Sequence, residues 1–308
     1  MEYKNNRLAL DGVFFEDIYT KHSSPTYIYS RDEILSNISS YKINIGSGDL
    51  VCFSVKSSNN LQILKLISSQ GLGFDVVSGG ELNKVLYINA DKNKIVFSGV
   101  GKTRQDLICA IKNNIKSINV ESLSELKLIS TLVNEMNIPV NIALRLNPEI
   151  KSKTHPYLET GSSDSKFGIA KSELHKCMRI IKNQNNINLK GLAFHIGSEI
   201  KDFSYFKRAI NFMLDQINLL NMNKTIEFLD VGGGLGIKYL DKDKTLTIEK
   251  FVKKVRLEVP NDINLIFEPG KSIIGNAGYL MSKVLYKKKN ILIIDAGMND
   301  HIRTPLYG

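Results

Sequence analysis

One rhythm constrains this chain more than any other feature. From about Leu50 onward, a short apolar run rich in Val, Ile and Phe gives way to a polar or Gly-containing loop, then to a segment with helical spacing. The runs are Val51–Val55, Phe74–Val77, Lys94–Phe97, Ser117–Val120, Val140–Leu146, Gly191–Ile196, Ile226–Val231 and Asn264–Phe267. Helical patterns lie between them: Asn60–Ser69 carries Leu61, Leu64, Leu66 and Ile67, and Ser122–Met136 carries Leu123, Leu126, Ile129 and Val133. Ser122 also opens a Ser-x-x-Glu capping-box pattern that closes with Glu125. Continuous apolar strands separated by helices need cover on both faces, the condition for a parallel sheet. Eight such units predict an α/β fold, a (β/α)8 barrel of the TIM type; an open doubly wound sheet is the competitor, and the count favours the barrel.

In such a barrel the chemistry sits at the C-terminal ends of the strands. Polar and glycine residues fall there repeatedly: Lys56 after the first run, Ser78-Gly79-Gly80 after the second, Arg145 and Asn147 at the fifth. His195 ends the sixth, Gly232-Gly233-Gly234 follow the seventh, and Glu268 follows the eighth. Outside the barrel, Thr26–Tyr29, Tyr279–Tyr286 and Ile291–Asp295 read as strands of a second, β-rich domain. The expected organisation is residues 1–30 giving a strand to that domain, 31–275 forming the barrel, and 276–308 beginning an incomplete C-terminal β domain.

The charge of +10 raises the question of nucleic acid or membrane partners. The lysines are scattered among Asn and Ile, and the tight run Lys287–Lys289 lies between strand-like segments, where a solvated turn is expected. Neither nucleic acid nor membrane is therefore expected as a partner, although an anionic ligand would gain from the positive field. Cys52, Cys109 and Cys177 stand far apart with no CxxC pair, against both a metal site and a disulfide framework. The N-terminus lacks an apolar signal-peptide core, and a cytoplasmic location is expected.

Lys56 in VCFSVKSSNN closes a buried strand, where desolvation is expected to disfavour its charge and free the amine for covalent chemistry with a carbonyl. The bland alternative is a surface lysine opening a loop. Gly232–Gly234 in LDVGGGLG can close backbone N–H groups around a phosphate, or simply make a tight turn; as a GxGxxG fingerprint the spacing fails. Glu268 in FEPGK can hold a pyridine nitrogen protonated, or serve only as a salt-bridge partner. His195 in GLAFHIGSE can cover a face of an aromatic cofactor, or act as a structural hydrogen-bonding residue. SGVGKT, Ser98–Thr103, imitates the end of a P-loop, but Val96 stands where the pattern needs Gly.

Taken in order, CFSVKSSNN, GLGFDVVSGGEL, KFGI, HIGSEI, LDVGGGLGI, FEPGKSIIGNAGYL and IIDAGMNDHIRTPLYG resemble the diaminopimelate decarboxylase family, fold-type-III pyridoxal-phosphate enzymes related to ornithine and arginine decarboxylases. The match runs from about Thr26 to the last residue. It implies pyridoxal 5'-phosphate as cofactor, meso-2,6-diaminopimelate as the amino-acid substrate, L-lysine as product, and a homodimer. By the same resemblance, Lys56 would hold the cofactor covalently and later help protonate the decarboxylated carbon. His195 would stack on the ring, Glu268 would bind its nitrogen, and Asp75 would support the ring from behind. Ser198, Gly232, Gly233, Gly234, Gly270 and Lys271 would hold the phosphate. Lys271, Arg303 and Tyr307 would meet the substrate's distal carboxylate. Lys271 stands where the family has Arg, keeping the charge but losing the bidentate fork. The family pattern also continues past Gly308 with the rest of the β domain, including a Cys-Glu motif given across the dimer, so a C-terminally truncated chain of impaired activity is expected. Two other readings stay open: a decarboxylase for another amino acid, of ornithine or arginine type, and a non-catalytic remnant that binds the cofactor.

Overall fold

A computed structural model of the chain describes residues 1–150, 165–240 and 242–302. The chain divides into two compact units, residues 38–273 and residues 1–37 with 274–308.

The larger unit is a closed barrel of eight parallel strands. In chain order these are β1 (Leu50–Ser54), β2 (Gly73–Val76), β3 (Ile95–Phe97), β4 (Ser117–Val120), β5 (Val140–Arg145), β6 (Ile187–Ala193), β7 (Phe228–Asp230) and β8 (Asn264–Phe267). Each pairs with the next, and β8 returns to β1 through Ile266 opposite Leu50. All eight expected strands are present, so the barrel and not the open sheet is the fold. The sixth strand starts earlier than its apolar run: Asn188 and Lys190 interrupt the hydrophobic pattern, and a register shift separates Leu189 from Gly191.

Among the described residues, seven helices join consecutive strands: α1 (Leu61–Ser69), α2 (Gly79–Tyr87), α3 (Arg104–Asn113), α4 (Leu123–Met136), α5 (Leu174–Lys182), α6 (Phe203–Leu219) and α7 (Ile248–Glu258). Their caps explain their starts. Asn60 accepts from the N–H groups of Gln62 and Ile63 at the head of α1, and Thr103 with Asp106 makes a complete capping box at α3. At α4 only half of the expected box forms: the Ser122 hydroxyl accepts from Glu125 N–H at 3.1 Å. The Glu125 carboxylate instead takes the N–H of Glu121 and the Lys102 ammonium, at 2.8 and 2.7 Å, because a buried cation beside it needs a counter-charge.

Inside the barrel, Cys52, Val96, Ala143 and Phe228 come from β1, β3, β5 and β7 and pack as one cluster with Ile266. This is a layer drawn from alternate strands, as barrel closure requires. Phe228 fits because its neighbour is glycine: a Cβ on Gly191 would lie 2.3 Å from the Phe228 ring.

The smaller unit is β-rich. Glu2–Lys4, Arg7–Leu10 and Val13–Phe14 form an antiparallel three-stranded sheet, and Thr26–Tyr29 pairs antiparallel with Gly278–Met281. The expected strand Tyr279–Tyr286 is two strands, Gly278–Met281 and Val284–Lys288, and the second pairs with Ile291–Ile294 in a hairpin. Of the lysine run expected to form a turn, Lys287 and Lys288 belong to the strand Val284–Lys288, and Lys289, with φ +54°, sits at the hairpin turn.

Candidate active site

A cavity of about 180 Å³ opens at the C-terminal ends of the barrel strands. It is lined by Lys56, His195, Ser198, Gly234, Glu268, Gly270 and Lys271, with Ser54, Ser57, Glu199, Leu235 and Ser272 between them. Seven of the residues singled out from the sequence therefore converge on one small space. Asp75, Gly232 and Gly233 stand behind its wall. Arg303 and Tyr307 lie outside the described residues.

Lys56 follows β1 on a short turn, Val55–Ser57, which Ser57 holds by donating to the Ser54 carbonyl at 2.7 Å. Its ammonium is 3.3 Å from Oδ2 of the fully buried Asp75, which also accepts from the Ser54 hydroxyl at 2.7 Å. Burial opposes the lysine's charge, as the sequence suggested, but the Asp75 and Glu268 carboxylates outweigh it and raise the pKa. The expectation of a lysine neutralised by desolvation is thus corrected. Oδ1 of Asp75 has no hydrogen-bond partner among the described residues, an unspent acceptor beside the cavity.

His195, at the end of β6, accepts the Gly233 N–H on Nδ1 at 3.2 Å, which leaves Nε2 as the protonated nitrogen of a neutral ring. Burial, then the nearby charges of Lys56 and Arg145, push its pKa well below the usual value. The imidazole is therefore a flat neutral surface.

The glycine triplet after β7 is required by crowding. Gly232 has φ +65°, and a Cβ there would lie 2.6 Å from the Phe194 carbonyl oxygen; on Gly233 it would lie 2.2 Å from the Glu268 carbonyl. Of the three, only Gly234 lines the cavity. Ser78-Gly79-Gly80, also noted in the sequence, open α2: Ser78 caps it by accepting from Glu81 N–H, and Gly79 makes room for Asp106.

The P-loop imitation is structural. The Ser98 hydroxyl donates to Glu268 Oε1 at 3.2 Å, and Gly99 N–H donates to Glu121 Oε1 at 2.7 Å. Lys102 is fully buried on the carbonyls of Gly99 and Asn119 and on Glu125. Arg145 pairs with Glu121 at 2.7 Å and stacks on Phe167 of the KFGI motif, 4.9 Å from the ring centre.

Sequence reasoning missed a set of buried polar residues under the cavity: Ser54, Ser98, Asn119, Glu121 and Asp230. Asn119 donates to Asp230 Oδ2 at 2.9 Å and to the Ser98 hydroxyl at 3.0 Å. A polar residue two positions after an inward apolar one, near a strand's C-terminal end, was the available signal. Lys271 forms an ion pair with Glu199, which also accepts from the Tyr239 hydroxyl at 2.8 Å. The Lys271 ammonium thus has an acidic partner within the chain.

These features fit pyridoxal 5'-phosphate. The donors and acceptors are those a ring aldehyde, a pyridine nitrogen and a phosphate need, and the free Asp75 oxygen awaits a donor. Gly270 leaves room that a side chain would fill, since a Cβ there would lie 3.0 Å from Ser57 Oγ. No group of three His, Cys, Asp or Glu side chains among the described residues is placed to hold a metal ion.

A parallel barrel with a lysine, a buried neutral histidine and a buried glutamate at its mouth is the frame of a class of cofactor-dependent enzyme. A family model described as "Pyridoxal-dependent decarboxylase, pyridoxal binding domain" matches residues 31–275, and the chain belongs to that family. It is 38% identical over 312 residues to the diaminopimelate decarboxylase of Pseudomonas aeruginosa, covering 99% of this chain and 75% of that one. With the diaminopimelate decarboxylase of Vibrio cholerae it shares 39% over 319 residues, covering 100% and 76%. Among solved structures, diaminopimelate decarboxylase from M. jannaschii in co-complex with L-lysine superposes with a TM-score of 0.91 at 34% identity, covering 99% of this chain and 75% of that one.

Proposed function

We propose that this chain catalyses the pyridoxal-phosphate-dependent decarboxylation of meso-2,6-diaminopimelate to L-lysine. The observation that carries the reading is the convergence of Lys56, His195, Ser198, Gly234, Glu268, Gly270 and Lys271 on one cavity, in a chain so similar over nearly its whole length to diaminopimelate decarboxylases. When bound, the cofactor supplies a conjugated ring that takes up the electron pair left as carbon dioxide departs.

The chain's own groups supply the rest. Lys56 binds the cofactor through its amine, which requires loss of the proton that Asp75 and Glu268 now hold on it. A hydrogen-bond donor presented to Asp75 would weaken that hold by neutralising part of its charge. After decarboxylation the same amine is placed to return a proton to the carbon. Neutral His195 covers one ring face and excludes water from it. Glu268 meets the ring nitrogen, with Ser98 holding Oε1. Ser198, Gly270, Lys271 and the Gly232–Gly234 loop receive the phosphate, and Lys271, Arg303 and Tyr307 receive the distal carboxylate. In this reading residues 31–275 form the cofactor domain, residues 1–30 and 276–308 belong to a β domain, and the working form is a cytoplasmic homodimer.

Borohydride reduction of the protein with pyridoxal phosphate, followed by peptide mapping, tests the site: the adduct is expected on Lys56, and labelling spread over many lysines would refute it. Carbon-dioxide release from diaminopimelate but not from ornithine or arginine is expected; release from the latter makes it a decarboxylase of the other type. Labelling of Lys56 with no release from any of them makes it a cofactor-binding remnant.

A further inference from the structure

Asp230 is a fully buried carboxylate that the reading above does not use. Its Oδ1 accepts the Gly232 N–H at 2.9 Å, and its Oδ2 accepts from the Asn119 side chain at 2.9 Å. It also shares a hydrogen bond with the Glu268 side chain. Asn119 donates a second bond to the Ser98 hydroxyl, at 3.0 Å, and Ser98 donates onward to Glu268 Oε1, at 3.2 Å. Glu268, Ser98, Asn119 and Asp230 thus close a ring of hydrogen bonds under the cavity.

Two carboxyl groups that share a hydrogen bond in a dry site cannot both be ionised there without a large cost. Counting donors decides which one keeps the proton. Asp230 receives donors from Gly232 and Asn119, which suits a carboxylate; Glu268 receives one, from Ser98, and must supply the proton of the Asp230–Glu268 bond. We infer that Asp230 is a positioning residue whose negative charge keeps the Glu268 carboxyl protonated, so that the proton needed on the cofactor's ring nitrogen is already resident in the protein. With the cofactor bound, the Glu268 O–H bond would break and an N–H bond form; the electron pair would stay on Glu268, and the positive charge of the new ring N–H would offset the second carboxylate beside Asp230, leaving the net charge of the site unchanged. The inference rests on the cofactor reading only for this last step.

The other groups that bear on the pair are Asp75, Lys56 and Cys52 on the β1–β2 side, and His195 and Arg145 from β6 and β5 around Lys56. Burial first, and then Asp230 and Asp75, push Glu268 well above the ordinary carboxyl range, in keeping with the donor count. Burial, offset in part by the hydrogen bonds to Gly232, Glu268 and Asn119, leaves Asp230 raised to about 6.

Infrared difference spectroscopy of the protein without cofactor tests the resident proton. A protonated-carboxyl band is expected at neutral pH, lost in Glu268→Gln. In Asp230→Asn its midpoint should fall by about one pH unit, a roughly tenfold loss of proton affinity. A band that survives in Glu268→Gln, or a midpoint unmoved in Asp230→Asn, overturns the inference. Should Asp230→Asn fail to fold, Ser98→Ala opens the same ring at its longest link; it removes the side-chain donor that Glu268 has among the described residues, so the midpoint should rise, and no change overturns the inference. With ring-15N-labelled pyridoxal phosphate bound, the nitrogen should lose its proton at lower pH in Asp230→Asn than in the parent. If the parent binds no cofactor, the functional reading falls, while the infrared result still decides this one.

Discussion

The two ends of the barrel are built from the same strands and differ in almost every physical respect. At the lower end Cys52, Val96, Ala143, Phe228 and Ile266 make a dry apolar cluster. Two residues further along those strands stand Ser54, Ser98, Arg145, Asp230 and Glu268, all buried and polar. A period of two keeps each pair on the same face of its strand, so the interior changes from hydrocarbon to hydrogen-bonded carboxylates within one step of about 7 Å. The apolar layer contributes stability by removing surface from water, at roughly 1.5–3 kcal/mol for a fully buried large side chain. The polar layer costs stability unless every group is paired, and Asp75 Oδ1 is not. An enzyme interior divided in this way holds its shape with one end and does its chemistry with the other.

Substitutions at the two ends should therefore fail in different assays. Lys56→Arg, which keeps a cation beside the buried Asp75, is expected to reduce carbon-dioxide release by roughly 10²–10⁴-fold or more, with a melting temperature little changed. A matching drop in stability would erase the distinction. Phe228→Ala is the counterpart: urea unfolding should show a loss of about 3–5 kcal/mol, with kcat of the remaining folded protein little altered. Gly233→Ala tests whether the ends are separable at the mouth, because its Cβ would lie 2.2 Å from the Glu268 carbonyl. It should cost about 1–3 kcal/mol in stability and also weaken cofactor binding, seen by absorbance titration.

The polar end also predicts a pH signature. Asp230 has a folded pKa raised from 3.8 to about 6, and Glu268 is raised further. Across that window the folded chain binds more protons than the unfolded one, so the stability these groups contribute is whole below pH 4 and falls as pH rises through 6. Denaturant melts from pH 4 to 7 should show this decline against the background of other groups, and Asp230→Asn should flatten it. An equal slope in the variant would remove Asp230 from the account. The smallest effect expected is that of Ser122→Ala, about 1 kcal/mol through loss of the α4 cap, with catalysis untouched.

Much of the site was legible because each residue was anchored to a strand end. Lys56, His195 and Glu268 each follow a continuous apolar run directly, so finding the strands found the site. The ring beneath it was hidden for the opposite reason. Asp230 and Asn119 sit inside the apolar runs IEFLDV and SINV, where one polar residue reads as an imperfection. Lys102 was hidden by imitation, since SGVGKT looks like a phosphate loop until its ammonium is seen capped by two carbonyls and a carboxylate.

The sequence by itself determined the alternation of strands and helices, the starts of two of those helices, and the residue types at the barrel mouth. Hydrophobic periodicity and capping act over a few residues, and so can be read along the chain. Tertiary structure alone decided what each polar group meets. Asp75 raises rather than permits the lowering of the Lys56 pKa, Glu199 meets Lys271, and Asp230 meets Glu268. Charge interactions depend on distance in space and on exclusion of water, and barrel closure sets both, by bringing β8 back to β1 across more than two hundred residues of chain.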